Sequence, residues 1–280
     1  MTNEQPAAGP TRRRRRLTDA ETARRTLDAA MSMVAKTGLT VSLEHIGFED
    51  VIRDAGVARS AVYRRWPYKD LFFSDLLREL AHQAPAATGA DGRGGEEAVR
   101  QLGRERFDLF ATPEGRHDLC VELLRQGALR DFEAMHASTR WRTYIALHAT
   151  YLGLADGELR REVGASLEAA EHELNTRIAR SYEHLADLLG LRLRPELRTT
   201  FAELATQLNA TMRGFVLTAL SRPDLRDRHT RPGVFGTTGT AEWSQPALGI
   251  AATALSFLEP DPGVEWDDRR LERVRRALEP

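Results

Sequence analysis

The chain has 280 residues, of which 41% are hydrophobic and 29% charged, and its formal net charge is −1. This composition is typical of a folded globular protein and excludes an intrinsically disordered chain. There is no run of about twenty apolar residues and no apolar segment behind the N-terminal arginines, so we predict neither a membrane span nor a secretory signal, and we expect a cytoplasmic protein of two domains.

The near-neutral total hides two local basic clusters. Arg12 to Arg16 form an unbroken run, and residues 53–69 carry four arginines and Lys69 against the single acidic residue Asp54. Such a distribution suits a polyanion that contacts one end of the protein, and it is less suited to a polyanion that wraps around the whole protein.

The first predicted element is a capped amphipathic helix. In "ETARRTLDAAMSMVAKTG" the apolar residues recur at helical spacing, Thr18 precedes Glu21 as in a capping box, and Gly38 follows as a stop. A short helix ending at Ala55-Gly56 comes next, then one starting near Ala58, then one over about 68–83. Pro67 disfavours helical backbone at the residue before it, so we predict that the middle helix ends there.

The segment "APAATGADGRGGEE" is rich in glycine and small residues, which is typical of a flexible connection. We therefore predict a basic arm at 1–17, a first domain at 18–84 and a second at 85–280. Helices are predicted in the second domain at about 95–111, 114–130, 131–155, 158–190, 196–221, 244–258 and 266–278. Strands have little support, and the break at 222–243 is long for a loop, which indicates a mobile or a functional segment.

Two short helices joined through Gly56 form a candidate helix-turn-helix, in which the second helix enters the major groove of DNA. Apolar residues of both helices can pack together, which leaves a polar set for solvent or DNA. The inward residues are Val51, Ile52, Ala55, Val57, Ala61 and Val62. The outward residues are Arg59, Ser60, Tyr63, Arg64 and Arg65.

Each outward side chain type suits a contact with DNA. Arginine can donate two hydrogen bonds to guanine, whereas tyrosine and lysine suit phosphate oxygens. Lys69 also lies at the start of the third helix, where free backbone N–H groups favour an anion. The alternative is a charged face that is only solvated, and the pattern alone does not decide between the two.

The stretch "AGVARSAVYRRWPYKDLFF" resembles the signature of the TetR family of bacterial transcription regulators, in which a pattern like "AGVS..TLY.HF.SKE.LL" joins the recognition helix to the next helix. Ala55-Gly56-Val57, Tyr63, Trp66, Lys69 and Phe72-Phe73 fall on matching positions. The resemblance covers about residues 20–80. It implies an all-α protein with an N-terminal three-helix helix-turn-helix domain that binds DNA, followed by a larger helical domain that binds a ligand and dimerises.

The resemblance also implies roles for individual residues. Tyr63 and Lys69 would hold phosphates, and Trp66 would be structural. The base readers would be Arg59, Ser60 and Arg64, with Arg65 at either a base edge or the backbone. The basic arm precedes the first helix as it does in some members, so Arg12, Arg13, Arg14, Arg15 and Arg16 would enter the minor groove or neutralise phosphates, unless they are only a solubilising tail.

The chain departs from the family pattern in three places. About four extra residues separate Gly38 from Gly56, Ile52 replaces a small residue, and Tyr68 replaces the usual capping Ser or Asn. These departures remove no type of DNA contact, but they leave the docking angle open.

In the resembled family the C-terminal region dimerises and often encloses a small-molecule pocket. Aromatic and apolar residues of "STRWRTYIALHATYLGL" recur on one helical face, which indicates pocket lining or, equally well, core packing. The candidate pocket residues are Trp141, Tyr144, Ile145 and His148, with Phe107 and Phe110 as neighbours. Two further apolar stripes are long enough for a dimer interface, at Phe201, Leu204, Leu208 and Met212 and at Leu248 and Leu255.

The sequence contains no constellation typical of an enzyme. "EHELNT" begins like a zinc-binding helix, but Thr176 stands where the second histidine should be, and "GADGRGGEE" lacks the ending of a phosphate-binding loop. Cys120, the one cysteine, lies in an apolar run that favours an inert thiol, and we expect neither a metal nor another cofactor. The leading hypothesis is a homodimeric, ligand-responsive repressor of a palindromic operator; the alternative is a helical small-molecule-binding protein without specific DNA readout.

Overall fold

A computed structural model describes residues 17–37, 39, 46–83 and 93–279. Within these ranges the chain is all-α in character, with eleven α-helices and four short β-strands. The helices are α1 (Asp19–Thr37), α2 (Phe48–Ala55), α3 (Arg59–Arg65), α4 (Lys69–His82), α5 (Arg93–Glu105), α6 (Pro113–Ala137), α7 (Thr139–Leu152), α8 (Glu158–Leu189), α9 (Phe201–Ala219), α10 (Gln245–Phe257) and α11 (Asp268–Ala277). Residues 1–16 of the predicted basic arm, Gly38 and most of the glycine-rich connection lie outside the described residues.

Side-chain caps set the start of several helices. The predicted capping box of α1 is confirmed: the backbone N–H of Glu21 donates to the Thr18 hydroxyl at 3.1 Å, and that of Thr18 donates to the Glu21 carboxylate at 2.8 Å. Thr200 and Glu203 form the same box at α9. These bonds satisfy backbone donors that have no partner within the helix.

The boundary predicted at 130/131 is wrong, because α6 continues to Ala137. Ser138 leaves the helical region and its hydroxyl accepts the N–H of Trp141 at 3.1 Å, so it ends α6 and caps α7. The prediction at Pro67 is confirmed, since α3 ends at Arg65 and Trp66 has a non-helical backbone.

The prediction of few strands is confirmed, and the described residues contain four short ones. β1 (Leu191–Leu193) pairs antiparallel with β4 (Leu258–Pro260), and β2 (His229–Pro232) pairs antiparallel with β3 (Thr240–Trp243). The β2–β3 hairpin lies in the break predicted at 222–243, and the Asp118 carboxylate of α6 accepts the backbone N–H of Thr238. The strands have three or four residues each, too few to show an alternating pattern in sequence.

The buried apolar residues form two clusters. The N-terminal core joins α1–α4 to α7 and to the first half of α8, and the C-terminal core joins α6 and the second half of α8 to α9, α10 and α11. The residues that α7 and α8 give to the N-terminal core are Tyr144, Leu147, Val163, Leu167 and Ala170. The helix-turn-helix is thus anchored on α7 and α8. The division into domains at 84/85 stays a prediction.

None of the described helices combines the length and the apolar character that crossing a membrane requires.

Candidate nucleic-acid interface

The helix-turn-helix geometry depends on Gly56. This residue adopts a left-handed conformation, with φ 61° and ψ 33°, and its backbone N–H donates to the carbonyl of Arg53 at 3.2 Å. Phe48, Val51 and Ile52 of α2 are buried. Val62 is buried on α3, so the turn brings these two short helices against one core.

Replacing Gly56 by alanine is expected to lower the free energy of unfolding by about 1–2 kcal/mol, because a Cβ atom disfavours the left-handed conformation. Gly127 is a matched control: it lies within α6 and an added Cβ would meet nothing within 4 Å. Gly127→Ala should raise the stability by about 0.5–1 kcal/mol. Urea denaturation measures both changes in the free energy of unfolding. Two changes of the same sign would contradict the assignment of a left-handed backbone to Gly56 and a helical one to Gly127.

Trp66 connects α3 to α4. Its side chain is 2% exposed, its Nε1–H donates to Oδ2 of Asp75 at 2.9 Å, and its ring meets that of Phe72 edge-on at 5.3 Å. Phe72 in turn contacts Phe48 at 4.7 Å between ring centroids. Tyr68 precedes α4 without a side-chain cap, as the sequence indicates.

The polar residues of α3 lie on the parts of the helix that the core does not cover. All five outward residues of the sequence prediction are exposed, as is Lys69 at the start of α4. The side chains of Val51, Ile52 and Val62 are buried beneath them. We call this set of exposed cationic and hydroxyl-bearing residues the α3 face: Arg59, Ser60, Tyr63, Arg64, Arg65 and Lys69.

Carboxylates from three other helices contact the α3 face. Nη2 of Arg59 lies 2.8 Å from Oε1 of Glu49, and the Tyr63 hydroxyl donates to the same oxygen at 2.7 Å. Arg64 pairs with Asp19 of α1, and Arg65 lies 3.6 Å from Asp75 of α4. Sequence reasoning missed these acidic partners, since no short spacing links them to α3.

These ion pairs are exposed, so each stabilises the fold by at most about 1 kcal/mol and can exchange with solvent ions or phosphate. The ammonium nitrogen of Lys69 lies 5.0 Å from the centroid of the Phe73 ring, and Arg59 and Arg65 also lie over aromatic rings, those of Tyr63 and Trp66.

The six residues predicted to line a pocket are not brought together. Phe107 and Phe110 lie beside each other at 5.6 Å, and Phe110 stacks on Trp266 at 6.1 Å. Trp141 is buried in the C-terminal core, and Ile145 packs against both cores. Tyr144 and His148 belong to a separate polar cluster. The ligand-binding role of these residues stays a prediction.

That polar cluster joins α7, α8 and α9 around Glu171. Its carboxylate accepts a hydrogen bond from the Tyr144 hydroxyl and lies 2.5 Å from Nη1 of Arg213 and 3.5 Å from Nε2 of His148. Burial raises the pKa of Glu171, but hydrogen bonds from His148, Arg213 and Tyr144 outweigh burial and lower the pKa to about 2. Burial and the bond to Glu171 raise the pKa of Tyr144. Glu171 is thus ionised and Tyr144 neutral at pH 7.

Two open grooves flank the β2–β3 hairpin where it packs on α6, with volumes of about 480 and 300 Å³. Arg125, Glu122 and Trp243 contribute to the larger one, and Phe132 and Arg228 to the smaller. None of the six predicted pocket residues lines either groove.

The predicted dimer residues lie in or against the chain's own core. Leu204, Leu208 and Met212 are buried in the C-terminal core, so their side chains are not presented to a second copy in this conformation. Phe201, Leu248 and Leu255 pack against that core and are partly exposed. Dimerisation stays a prediction, and so does the interface.

Cys120 is buried, and burial raises the pKa of its thiol to about 12, so no thiolate forms at neutral pH. Across the described ranges no three histidine, cysteine, aspartate or glutamate side chains are grouped as a metal site would require.

No protein-family model matches the chain, and no curated protein matches it. Among solved structures the chain is similar to a TetR-family transcriptional regulator from Agrobacterium tumefaciens, at 16% identity, over 73% of this chain and 90% of that one, with a TM-score of 0.40. It is also similar to a SmeT-triclosan complex, at 20% identity, over 88% of this chain and 95% of that one, with a TM-score of 0.40.

A third similar structure is SmeT, the repressor of the Stenotrophomonas maltophilia multidrug efflux pump SmeDEF. Here the identity is 18%, the match covers 89% of this chain and 96% of that one, and the TM-score is 0.38.

Proposed function

We propose that the chain is a sequence-specific DNA-binding regulator of transcription, similar to TetR-family repressors, and not an enzyme. The observation that supports this function best is the α3 face, a set of exposed arginines, a serine, a tyrosine and a lysine around a helix whose inner side, at Val62, is buried in the N-terminal core. The alternative of a merely solvated face does not explain why the matching signature and the exposed cations coincide on one helix. Charged and hydroxyl groups at this density suit phosphates and base edges.

The dimensions of α3 agree with insertion into the major groove. The helix has seven residues, which at about 1.5 Å per residue makes it about 10 Å long. The major groove of DNA is about 12 Å wide. In this mode Arg59 and Arg64 reach guanine edges, Ser60 contacts a base, and Arg65 reaches a base edge or the backbone.

Phosphate contacts would position α3 on either side of the groove. Tyr63 is exposed in the second half of α3, and Lys69 is exposed at the start of α4. Arg12 to Arg16 lie outside the described residues, and we propose that they follow the backbone or the adjacent minor groove. A two-fold dimer would present paired α3 helices to half-sites about one turn of DNA apart, which predicts a palindromic operator.

An effector could act through α4. This helix follows α3 and its Leu76, Leu77 and Leu80 belong to the N-terminal core, as do Leu147 of α7 and Val163 of α8. Nε of Arg78 also lies 2.5 Å from the Glu162 carboxylate of α8. A small molecule that binds one arrangement of α7 and α8 more tightly would shift α4 and the spacing of the two α3 helices.

The proposed function is tested by selecting bound sequences from a random DNA pool with the purified chain at two salt concentrations. Enrichment of a palindrome would support a dimer that reads sequence. Binding that is sensitive to salt but enriches no motif would indicate a non-specific DNA binder. Absence of binding by the folded chain would favour a small-molecule-binding protein without DNA readout, and screening metabolites for a change in thermal stability would follow.

Four substitutions in the α3 face test how it docks. Tyr63→Phe and Lys69→Ala are expected to weaken binding to all sequences about equally, because phosphate contacts carry no sequence information. Arg59→Ala and Arg64→Ala are expected to relax the preference at particular base pairs, by about 1–3 kcal/mol each. Fluorescence anisotropy with the selected operator and its single-base variants measures both effects.

Arg180→Ala removes an exposed arginine of α8, far along the chain from the α3 face, and serves as the control for charge. We expect it to bind operator like the unmodified chain. Unchanged operator affinity in all four α3-face variants would contradict this docking model.

A further inference from the structure

Glu49, in the first turn of α2, is the acidic residue that contacts two members of the α3 face at once. Its Oε1 atom lies 2.8 Å from Nη2 of Arg59 and accepts the Tyr63 hydroxyl at 2.7 Å. Asp75, by comparison, also accepts hydrogen bonds from Trp66 and Arg78, so it serves the packing of α4.

The guanidinium of Arg59 is constrained on two sides. Glu49 contacts its Nη2 end, and the Tyr63 ring lies beneath it, with 5.4 Å between Cζ and the ring centroid. The Tyr63 ring is itself supported edge-on by Phe48, at 5.6 Å, and Phe48 is buried in the N-terminal core. Phe48 of the core therefore supports the tyrosine ring, and the tyrosine ring and Glu49 contact the arginine on two sides.

The fork of Arg59 stays available in this arrangement. A guanidinium has five N–H groups, and one contact at Nη2 leaves a second N–H on Nη2 and those on Nη1. Two neighbouring N–H groups are what bidentate binding to O6 and N7 of guanine requires. A long arginine side chain that is held in one orientation also loses less rotamer entropy when it binds.

We propose, on the basis of the proposed function, that Glu49 is a positioning residue for base readout, which fixes the Arg59 fork so that it discriminates one base pair of the operator. Glu49 contacts no base itself in this mode. The Tyr63 hydroxyl can donate one hydrogen bond, and in the free chain it donates to Glu49. For Tyr63 to donate to a phosphate instead, its hydroxyl must rotate away from Glu49, while the ion pair between Arg59 and Glu49 is kept.

The test compares Glu49→Ala, Glu49→Gln and Asp50→Asn in the full chain. Alanine removes the acceptor, whereas glutamine removes the charge and keeps an acceptor oxygen. Asp50 is the matched control, because it lies in the same turn of α2 and pairs with Arg53, which is not part of the α3 face. For each variant, affinities are measured for the operator selected by the unmodified chain and for its single-base variants.

The base pair read by Arg59 is first identified as the position at which Arg59→Ala loses discrimination. At that position we expect Glu49→Ala to lose discrimination by about 10-fold, Glu49→Gln to lose less, and Asp50→Asn to match the unmodified chain. The double variant Glu49→Ala, Arg59→Ala should lose no more there than Arg59→Ala alone. Circular dichroism and the urea midpoint establish that each variant is folded.

Unchanged discrimination at that base pair in Glu49→Ala would overturn the inference. An equal loss at every position would overturn it too, because it would indicate a general change of the domain and not of Arg59. If the unmodified chain selects no operator, the proposed function itself is contradicted. If the unmodified chain selects an operator and Glu49→Ala discriminates its base pairs equally well, only the proposed role of Glu49 is contradicted, and the proposed function stands.

Discussion

Trp66→Ala is expected to lower the free energy of unfolding by about 3–5 kcal/mol and to abolish specific DNA binding. The indole is 2% exposed and contacts the Phe72 ring edge-on. Truncation would leave a cavity where α3 meets α4. It would also remove the hydrogen bond from Nε1 to Asp75, although Asp75 keeps its bond from Arg78.

Urea denaturation followed by circular dichroism measures this change. Tyr68→Ala is the control, because Tyr68 lies two residues further along and is 73% exposed. We expect it to change the stability by no more than about 0.5 kcal/mol. The loss of stability in Trp66→Phe should lie between those of Trp66→Ala and Tyr68→Ala, since phenylalanine keeps an aromatic ring but has no N–H donor for Asp75. A loss of less than about 1 kcal/mol in Trp66→Ala would mean that the indole does not hold α3 in place.

The second large effect is expected at Glu171. Its pKa is about 2 in the folded chain, against an ordinary value of 4.5. The unfolded chain therefore binds the proton more tightly, so this carboxylate stabilises the fold above about pH 4.5 and loses that contribution as the pH falls towards 2. The shift corresponds to about 3 kcal/mol. Glu171→Gln should lower the stability by about that amount at pH 7.

The pH dependence of stability distinguishes Glu171→Gln from the unmodified chain more clearly than the stability at pH 7 alone. Between pH 4.5 and 2 the unmodified chain should lose stability more steeply than Glu171→Gln, because the variant has no carboxylate there to protonate. Glu173→Gln, on the exposed side of the same helix, should keep the steep dependence of the unmodified chain. Parallel curves for Glu171→Gln and the unmodified chain would show that the carboxylate is not held by Arg213 and Tyr144.

Local chemistry made the helix-turn-helix predictable. The Thr18 and Glu21 cap, the stop before Pro67 and the left-handed Gly56 each depend on residues within a few positions of one another. The outward residues of α3 were predicted from helical periodicity together with its buried side. Such features are visible in sequence because backbone geometry and short-range hydrogen bonds decide them.

Periodicity was less informative about what an apolar face contacts. The stripe at Leu204, Leu208 and Met212 was predicted as a surface for a second copy, and the structure places it inside the C-terminal core. An apolar stripe shows only that something covers it. In the same way, Tyr144 and Trp141 lie three residues apart but in different cores, because α7 contributes to both.

By itself, the sequence determined the Thr18 cap, the turn at Gly56 and the exposed character of the α3 face, because these depend on neighbouring residues and on backbone conformation. Only the tertiary structure decided which charges meet. Asp19 and Arg64 are 45 residues apart and Tyr144 and Arg213 are 69 apart, and Glu49 reaches Arg59 across the turn. Such pairs leave no pattern in the chain, because contacts between helices are set by packing of the apolar core and not by the spacing of the charged residues themselves.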